Sequence, residues 1–250
     1  MHEAGYRALG LPFTYVPFEV RDLAGAIQGM RSLGIRGFGV SQPFKQSVIP
    51  LLDALDPVAQ KIGAVNTIVA SGDRLVGHNT DWLGAVRALE EKRALSGASV
   101  LLFGAGGAAR AIAFGLRERQ ARVTIANRTA SKAEALAVET AARSVPWDVG
   151  DALGSYDVVI NATTVGQEGE SGGSVPHESL RSGQLVMDIV YKPPRTAWLS
   201  AARARGAVAL HGGRMLLHQA AAQFELYTGR TAPREAMDEA LQAAIGHHGD

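Results

Sequence analysis

The chain has 250 residues, a formal net charge of +1 and no cysteine. Without cysteine it has no disulfide, thiol nucleophile or thiolate metal site, which is typical of a cytoplasmic protein. The small net charge gives no electrostatic basis for binding nucleic acid, and no apolar run is long enough to span a bilayer. The seven histidines show no spacing typical of metal ligands. We therefore expect a protein of the cytoplasm, with no metal, nucleic-acid or membrane partner.

Helices and strands alternate in the first part of the chain, which predicts an α/β unit. Apolar residues at helical spacing predict a helix over 22–32. A turn of serine, glycine and aspartate at 71–73 lies between two apolar runs and predicts a hairpin. In chain order we predict a helix over 1–9, strands over 13–18 and 37–40, a loop over 41–45, a helix over 46–55, a helical turn from 57, and strands over 64–70 and 74–77.

A helix over 82–93 is predicted to connect this unit to a second domain. Between Ser99 and Leu210 we count six predicted strands, the number found in two mononucleotide-binding halves. This pattern predicts a doubly wound domain of the Rossmann type. Its strands are predicted over 100–103, 122–126, 145–147, 156–160, 184–189 and 207–210, its helices over 108–120, 131–143, 196–205 and 215–227, and a polar loop over 167–173. A last helix is predicted over 234–245.

A glycine-rich turn follows the first strand of this domain. Residues 100–103 are a continuous apolar run, as expected of a strand buried on both faces, and the segment after the glycines suits a helix. This context favours a dinucleotide-binding turn over a plain loop between a strand and a helix, with the phosphates on free N–H groups at the helix N-terminus. The residues of this predicted phosphate site are Gly104, Ala105, Gly106, Gly107 and Ala108.

The end of the next strand indicates which dinucleotide is bound. An NAD enzyme places an acidic residue about 20 residues past the first glycine, and this chain has none there. It has Asn127, Arg128 and Thr129, followed by Lys132, and two cations suit a 2′-phosphate. The alternative is a solvated helix start with Ser131 in a capping box, but cations at a helix N-terminus oppose the helix dipole. We therefore favour NADP.

Polar residues at predicted strand ends of the first unit are candidates for chemistry. Lys45 follows a strand and shares its loop with Ser41, while Asp81 stands at the start of the connecting helix. Each has a local alternative, because Lys45 fits a surface lysine and Asp81 fits an N-cap. Asn66 and Asn79 fit turn formers equally well. The residues alone predict an NADP-binding oxidoreductase with a second α/β domain.

Motifs spread over nearly the whole chain resemble those of the shikimate dehydrogenase family and occur in the family's order. They are VSQPFK (40–45), IGAVNT (62–67), NTDWLG (79–84), GAGGAAR (104–110), NRT (127–129), NATTVG (161–166), DIVYKP (188–193), MLLHQ (215–219) and QF (223–224). The resemblance implies reversible reduction of 3-dehydroshikimate to shikimate with NADPH, in the route to chorismate and aromatic amino acids. It also implies an active site in the cleft between a Rossmann-type NADP-binding domain and a smaller α/β substrate domain.

The resemblance assigns roles to individual residues. Lys45 and Asp81 match the catalytic pair. The substrate-binding positions match Ser41, Asn66, Tyr191 and Gln219, and the positions that border the nicotinamide match Thr163, Val165 and Met215. Core packing is an alternative for Tyr191 and Met215. We expect a substrate domain of residues 1–82 and 228–250, an NADP domain of residues 83–227, and a monomer or homodimer with a small-molecule substrate.

The sequence departs from the family pattern in three places. Family members begin with a strand and an S-x-S-P turn that holds the substrate carboxylate, whereas here His2 matches the histidine that follows that turn. We therefore expect the first sheet to lack that strand and those serines. Gly39 and Ser41 stand where an asparagine and a threonine are usual, and SQPFK resembles the shikimate-dehydrogenase-like branch. The alternatives are a related dehydrogenase of quinate, an aminated analogue or another hydroxy-cyclohexene acid, or an NADP-binding protein without turnover.

Overall fold

The computed structural model describes residues 1–167 and 174–246. The helices are α1 (His2–Ala8), α2 (Leu23–Ser32), α3 (Pro57–Ile62), α4 (Asp81–Glu90), α5 (Gly107–Glu118), α6 (Ala130–Thr140), α7 (Ala197–Ala204), α8 (Gly212–Thr228) and α9 (Arg234–Ile245). The strands are β1 (Gly37–Gly39), β2 (Ala54–Leu55), β3 (Thr67–Ser71), β4 (Arg74–His78), β5 (Ser99–Phe103), β6 (Arg122–Ala126), β7 (Arg143–Val145), β8 (Val158–Asn161), β9 (Leu185–Asp188) and β10 (Val208–His211). Short 3₁₀ helices occupy Ile49–Leu51 and Gly150–Ser155.

The larger sheet has six parallel strands in the order β10-β9-β8-β5-β6-β7. This confirms the predicted doubly wound sheet, whose strand order reverses beside β5. Val100 and Leu102 pack into a core on one face of β5, and Leu101 and Phe103 pack into a second core on the other. The apolar run was continuous because successive strand residues point to opposite faces, and helices cover both.

The smaller sheet has the order β1-β3-β4-β2. Strands β3 and β4 form the predicted antiparallel hairpin, which turns at Gly72 with a φ of +59°. Met30 of α2 and Ile68 of β3 belong to the core on this sheet. β1 lies beside β3, so the chain that follows β1 leaves the sheet next to the start of β3.

Helices α4 and α8 approach each other closely. A Cβ atom on Gly84 of α4 would lie 2.7 Å from the backbone oxygen of Met215 and 2.9 Å from Cβ of Gln219, both in α8. A glycine is required for this approach, because any larger residue would push the helices apart. Asp81 at the start of α4 is thereby brought to the same cavity as Met215 and Gln219.

Two predicted elements of the first unit are wrong. Residues 13–18 form no strand, and no described strand lies beside them to take their backbone hydrogen bonds; the Tyr15 N–H donates instead to the Glu3 carboxylate. The predicted helix over 46–55 is replaced by a 3₁₀ turn and then β2. Pro50 supplies no N–H to continue a helix, and the Asp53 carboxylate accepts the Leu75 N–H, which fixes the following residues beside β4.

Smaller differences occur elsewhere. Helix α6 ends three residues before the predicted end, because Ala141 adopts a left-handed conformation with a φ of +53°, and β7 accordingly begins at Arg143.

Of the predicted loop over 167–173, all but Gln167 lies outside the described residues, as do residues 247–250 of the predicted substrate domain. In the part of the chain that the structure describes, no helix is long and apolar enough to cross a membrane.

Candidate active site

Lys45 and Asp81 form an ion pair. The Lys45 Nζ atom lies 2.7 Å from Asp81 Oδ2, and the two side chains are 18% and 3% exposed. Lys45 lies in the turns that follow β1, and Asp81 is the first residue of α4. The alternative of a solvated surface lysine is therefore wrong, because this ammonium group is largely buried against a carboxylate.

The residue that caps the start of α4 is Asn79, and not Asp81 as the local alternative for Asp81 required. Asn79 Oδ1 accepts the backbone N–H of Asp81 at 3.0 Å, while Thr80, in the N-cap position, makes no capping bond with its side chain. Asn79 Nδ2 also donates to the backbone oxygen of Ala64. Asn79 thus acts as a turn former, which was the local alternative to a role in the chemistry. The Asp81 carboxylate has no capping role and is available to Lys45.

Asn66 is buried and does not form a turn. Its Nδ2 atom donates to Asp81 Oδ1 at 2.8 Å and to Thr80 Oγ1 at 2.9 Å. The Asp81 carboxylate therefore contacts an amide through one oxygen and the Lys45 ammonium through the other. An ionised carboxylate accepts both contacts, and together they fix its orientation.

A cavity of about 380 Å³ lies between the two sheets. Its lining combines the ion pair with the carboxyl-terminal edge of the larger sheet, at the position where open α/β sheets bind ligands. The predicted residues that it brings together are Ser41, Lys45, Asp81, Gly106, Ala108, Thr163, Tyr191, Met215 and Gln219. Met215 is 7% exposed and also packs into the core of the larger sheet, so it both lines the cavity and fills the core.

A smaller pocket of about 190 Å³ extends from the ion pair toward the smaller sheet. Its lining adds Asn66, Tyr15, Gly39 and Gln223 to residues of the larger cavity. A Cβ atom on Gly39 would lie only 2.7 Å from the Tyr15 hydroxyl, so the missing side chain leaves room for this phenol. Burial raises the pKa of Tyr15, which keeps the hydroxyl protonated.

Sequence reasoning missed two residues of this pocket. Tyr15 was missed because its segment was predicted as a strand. Gln223 was noted only as part of the motif QF (223–224), and that motif could have identified it as a site residue. For Tyr15 the available signal was Gly39, which has no side chain and stands where the resemblance leads us to expect an asparagine. The ring of Tyr15 stacks on His2, with 4.3 Å between the ring centroids.

The glycine turn leads directly from β5 into α5. Gly104 has a φ of +116°, and a Cβ atom there would lie 2.9 Å from the backbone oxygen of Ala162. By contrast, Gly106 and Gly107 face open space, and Gly106 is the N-cap of α5. The predicted phosphate site thus lies at the N-terminus of α5, where Gly106 and Gly107 leave open space.

The residues after β6 include the two cations that we predicted to bind a 2′-phosphate. Lys132 is exposed on the first turn of α6, and the Arg128 guanidinium lies 5.9 Å from the centroid of the Trp147 ring. Asn127 Nδ2 donates to the backbone oxygen of Thr129, the N-cap of α6. Because α6 begins at Ala130, Ser131 lies inside the helix and the alternative of a capping box is wrong.

Val165 does not line the cavity. Its side chain is 6% exposed and packs into the second core of the larger sheet. Its backbone oxygen accepts from Asn161 Nδ2, which also donates to Asp188 Oδ1. Burial raises the pKa of Asp188 to about 6, and hydrogen bonds from Thr196, the Val190 backbone and Asn161 oppose this shift. This buried network, which sequence reasoning missed, holds the ends of β8 and β9 beside the cavity.

Three family models match successive segments of the chain, and all three describe shikimate dehydrogenase domains. A family model described as the shikimate dehydrogenase substrate binding domain matches residues 1–68. A model described as shikimate / quinate 5-dehydrogenase matches residues 87–189, and one described as the shikimate 5′-dehydrogenase C-terminal domain matches residues 212–242.

Individual relatives cover nearly all of the chain. A protein of Haloarcula marismortui named shikimate dehydrogenase (NADP(+)) is 47% identical over 97% of this chain and 92% of its own length. A shikimate dehydrogenase solved in complex with NADP+ has a TM-score of 0.93 and 38% identity, covering 98% of this chain and 90% of that one. The Thermus thermophilus shikimate 5-dehydrogenase, solved with NADP(H) and shikimate, has a TM-score of 0.89 and 36% identity, covering 97% and 92%.

Proposed function

The chain belongs to the shikimate dehydrogenase family, and we propose that it is an NADP-dependent shikimate dehydrogenase, which interconverts 3-dehydroshikimate and shikimate. In this role it serves the route to chorismate and aromatic amino acids. The observation that carries the proposal is the buried Lys45–Asp81 pair, which lines the same cavity as the first turn of α5. A proton donor and a dinucleotide site that share one cavity are what reversible reduction of a ketone requires.

The residues of the larger sheet fit NADP. Gly106 and Gly107 leave room for the pyrophosphate, while Arg128 and Lys132 supply positive charge for the 2′-phosphate. Bound NADPH supplies the hydride for reduction of the ketone. Thr163 and Met215 border the nicotinamide in this proposal. Val165 contributes through Thr163, because its side chain lies in the core and its backbone N–H donates to the Thr163 hydroxyl. The positions assigned to NADP are Gly104, Ala105, Gly106, Gly107, Ala108, Asn127, Arg128, Thr129, Lys132, Thr163, Val165 and Met215.

Lys45 handles the proton in this proposal. Negative charge develops on the substrate oxygen as a ketone is reduced, so an ammonium group beside it stabilises that charge and donates the proton. Asp81 holds Lys45 in place through the 2.7 Å contact between Oδ2 and Nζ. In the oxidation direction, Lys45 takes the proton back from the hydroxyl.

Polar groups around the ion pair orient the substrate. Ser41 and Gln219 line both the cavity and the smaller pocket, as Lys45 and Asp81 do, so they face the same space as the ion pair. Tyr191 is 40% exposed at the rim of the cavity, where its hydroxyl is available to a bound acid. Asn66 lines the smaller pocket, although its two amide protons already serve Asp81 and Thr80.

A comparison of substrates tests the proposal. Initial rates of NADP reduction are measured with shikimate, quinate and an aminated analogue of shikimate. We expect the highest kcat/KM with shikimate. A higher value with quinate or the analogue would favour the related dehydrogenase, while NADP binding with no turnover of any acid would favour a nucleotide-binding protein without activity.

A substitution of the proposed proton donor tests the mechanism. Lys45→Ala should lower kcat about 10²- to 10⁴-fold, the usual effect of removing a general acid–base group, and leave NADP affinity unchanged. Lys61→Ala is the matched control, because Lys61 lies in the last turn of α3 and does not line the cavity. A kcat for Lys45→Ala within a few-fold of the wild-type value would contradict the assigned role.

The finer organisation belongs to the same proposal. The substrate domain comprises residues 1–82 and 228–250, and the NADP domain comprises residues 83–227. The core that Tyr6 of α1 shares with Phe224 of α8 and Met237 of α9 supports grouping the two chain ends. We propose that the enzyme acts in the cytoplasm, which the cysteine-free sequence supports, as a monomer or homodimer, which sedimentation equilibrium distinguishes.

A further inference from the structure

Gln223 lies in α8 with 6% of its surface exposed. Its Nε2 atom donates to the backbone oxygen of Asn66 at 3.2 Å and to Thr67 Oγ1 at 3.0 Å. A carbonyl oxygen can only accept, so the Gln223 atom that faces Asn66 must be the amide nitrogen. Both amide protons are then used, and Thr67 receives one of them.

The Thr67 hydroxyl is fully buried and links Gln223 to Asn66 by accepting one hydrogen bond and donating another. Having accepted from Gln223, it donates its single proton to Asn66 Oδ1 at 2.8 Å. The same Oδ1 atom accepts the backbone N–H of Thr80 at 2.7 Å, a group that can only donate. The Asn66 backbone oxygen can only accept and the Thr80 N–H can only donate, and these two groups fix the direction of every hydrogen bond from Gln223 to Asn66. The side-chain nitrogen of Asn66 must therefore face Asp81.

The Asp81 carboxylate ends this chain of hydrogen bonds. Asn66 Nδ2 lies 2.8 Å from Asp81 Oδ1, and Lys45 Nζ lies 2.7 Å from Asp81 Oδ2. With Oδ1 held by the amide, rotation of the carboxylate away from Lys45 breaks a buried hydrogen bond, which is costly. The position of the lysine thus depends on contacts that reach back into α8.

We propose that Thr67 and Gln223 are positioning residues for the reaction, which orient Asn66 and through it hold Asp81 against Lys45. The proposal rests on the proposed function, since that function assigns the chemistry to Lys45. Thr67 and Gln223 act without touching the reacting atoms, and what they control is the rate of the proton-transfer step.

Removal of the Thr67 hydroxyl tests the proposal. Thr67→Val keeps the volume of the side chain, and we expect kcat to fall about 3- to 10-fold, the range for loss of one hydrogen bond, with KM for NADP unchanged. Thr67→Ser restores the hydroxyl and the rate. The matched control is Thr140→Val, a buried threonine of α6 whose hydroxyl donates to the Leu136 backbone oxygen, and it should keep the wild-type kcat.

A second substitution separates positioning from packing. Gln223→Met removes both N–H donors at similar volume, and we expect a loss of kcat similar to that of Thr67→Val. Because both changes break one chain of hydrogen bonds, the double variant should lose no more than the larger single loss. Additive losses, or equal losses in Thr67→Val and Thr67→Ser, would show a packing role alone and overturn the proposal.

A third measurement does not depend on the substrate. The rate at which trinitrobenzenesulfonate modifies Lys45 is followed by mass spectrometry of the peptide that contains it. We expect faster modification in Thr67→Val and Gln223→Met than in the wild type, and the wild-type rate in Thr67→Ser and Thr140→Val. Unchanged modification of Lys45 in Thr67→Val overturns the positioning role. Failure of the wild type to oxidise shikimate, with this labelling pattern intact, would contradict the proposed function alone.

Discussion

Arg128 and Lys132 are the positive charges that follow β6, where an NAD enzyme would have a carboxylate. A guanidinium presents several N–H donors in a planar array, which matches phosphate oxygens, whereas an ammonium is a point charge. Arg128 also lies over the Trp147 ring. At the scale of single residues, we therefore expect Arg128 to contribute more than Lys132 to the selection of NADP.

Arg128→Ala should weaken NADP binding about 10- to 100-fold, the effect of losing one hydrogen-bonded charge pair, and change NAD binding only slightly. The measurement is Kd for both nucleotides by calorimetry at fixed ionic strength. Arg122→Ala provides the control, because Arg122 is an exposed arginine at the opposite end of β6. Equal weakening of both nucleotides by Arg128→Ala would rule out the assignment to the 2′-phosphate.

At the scale of elements, two glycines of the turn between β5 and α5 have different roles. Gly104 needs its positive φ and its close approach to Ala162, which are requirements of the fold. Gly106 has an ordinary φ of −84° and open space around it, so the fold alone does not require a glycine there. In the proposed NADP site, the requirement for glycine at position 106 arises from the phosphate that approaches it.

Gly106→Ala should therefore leave the melting temperature of the nucleotide-free protein unchanged and raise the Kd for NADP at least about tenfold. Gly104→Ala should lower the melting temperature, because the new methyl group would collide with backbone. Thermal unfolding and nucleotide titration of both variants measure the two effects. Unaltered NADP affinity in Gly106→Ala would contradict the predicted phosphate site.

The ends of β8 and β9 are joined by Asp188, which is fully buried. Its Oδ1 atom accepts from Asn161 Nδ2 and the Val190 N–H, and its Oδ2 atom accepts from the Thr196 hydroxyl. Burial raises its pKa from 3.8 to about 6, so the folded protein binds this proton more tightly than the unfolded chain. The stability that the proton provides is present below pH 3.8 and is lost as the pH rises through about 6.

Asp188→Asn removes this titration and keeps an oxygen for Asn161 and Val190. From pH 4 to pH 7 the free energy of unfolding of the wild type should fall relative to that of the variant by about 2 kcal/mol. Urea unfolding of both proteins across this range measures the difference. Parallel pH dependences in the two proteins would show that Asp188 titrates alike in the folded and unfolded states.

At the scale of the whole molecule, a cluster of charges links the helices that run between the two sheets. Glu91, just after α4, accepts from Arg214 at 2.6 and 3.0 Å and contacts His218 Nε2 at 2.7 Å, and both partners lie in α8. Arg214 also pairs with Asp238 of α9. Burial lowers the pKa of His218, and the hydrogen bond to Glu91 opposes this shift. The cluster therefore holds the helices that carry Asp81 and Gln219 in register.

Glu91→Ala should lower the free energy of unfolding by about 1–3 kcal/mol, because it leaves the partly buried Arg214 and His218 without this acceptor. For a protein of this size, the melting temperature falls by about 2–4 °C per kcal/mol. Glu90→Ala is the control. Its pair with Arg119 is 36% exposed on both sides, and such surface pairs contribute about 1 kcal/mol or less. Equal effects of the two substitutions would show that the cluster adds nothing beyond a surface ion pair.

The sequence by itself determined the parts of this protein that depend on neighbouring residues. The strand β5, the glycine turn and α5 follow from a short apolar run, positive φ at Gly104 and a run of helix formers, all local properties. The six-stranded sheet followed from the repetition of such units. Lys45 and Asp81 were identified through their motifs, but spacing could not show that the two side chains meet.

Only the tertiary structure decided how the polar residues are paired. Lys45 and Asp81 are 36 residues apart, and what brings them together is the segment before β3, where the Val65 N–H donates to the Lys45 backbone oxygen and Asn66 Nδ2 donates to Asp81. The directions of the hydrogen bonds from Gln223 to Asp81 depend on backbone groups of Asn66 and Thr80, which no local pattern reports. Residues 13–18 show the same limit, because a pattern predicts a strand but a strand forms only where another strand accepts its hydrogen bonds.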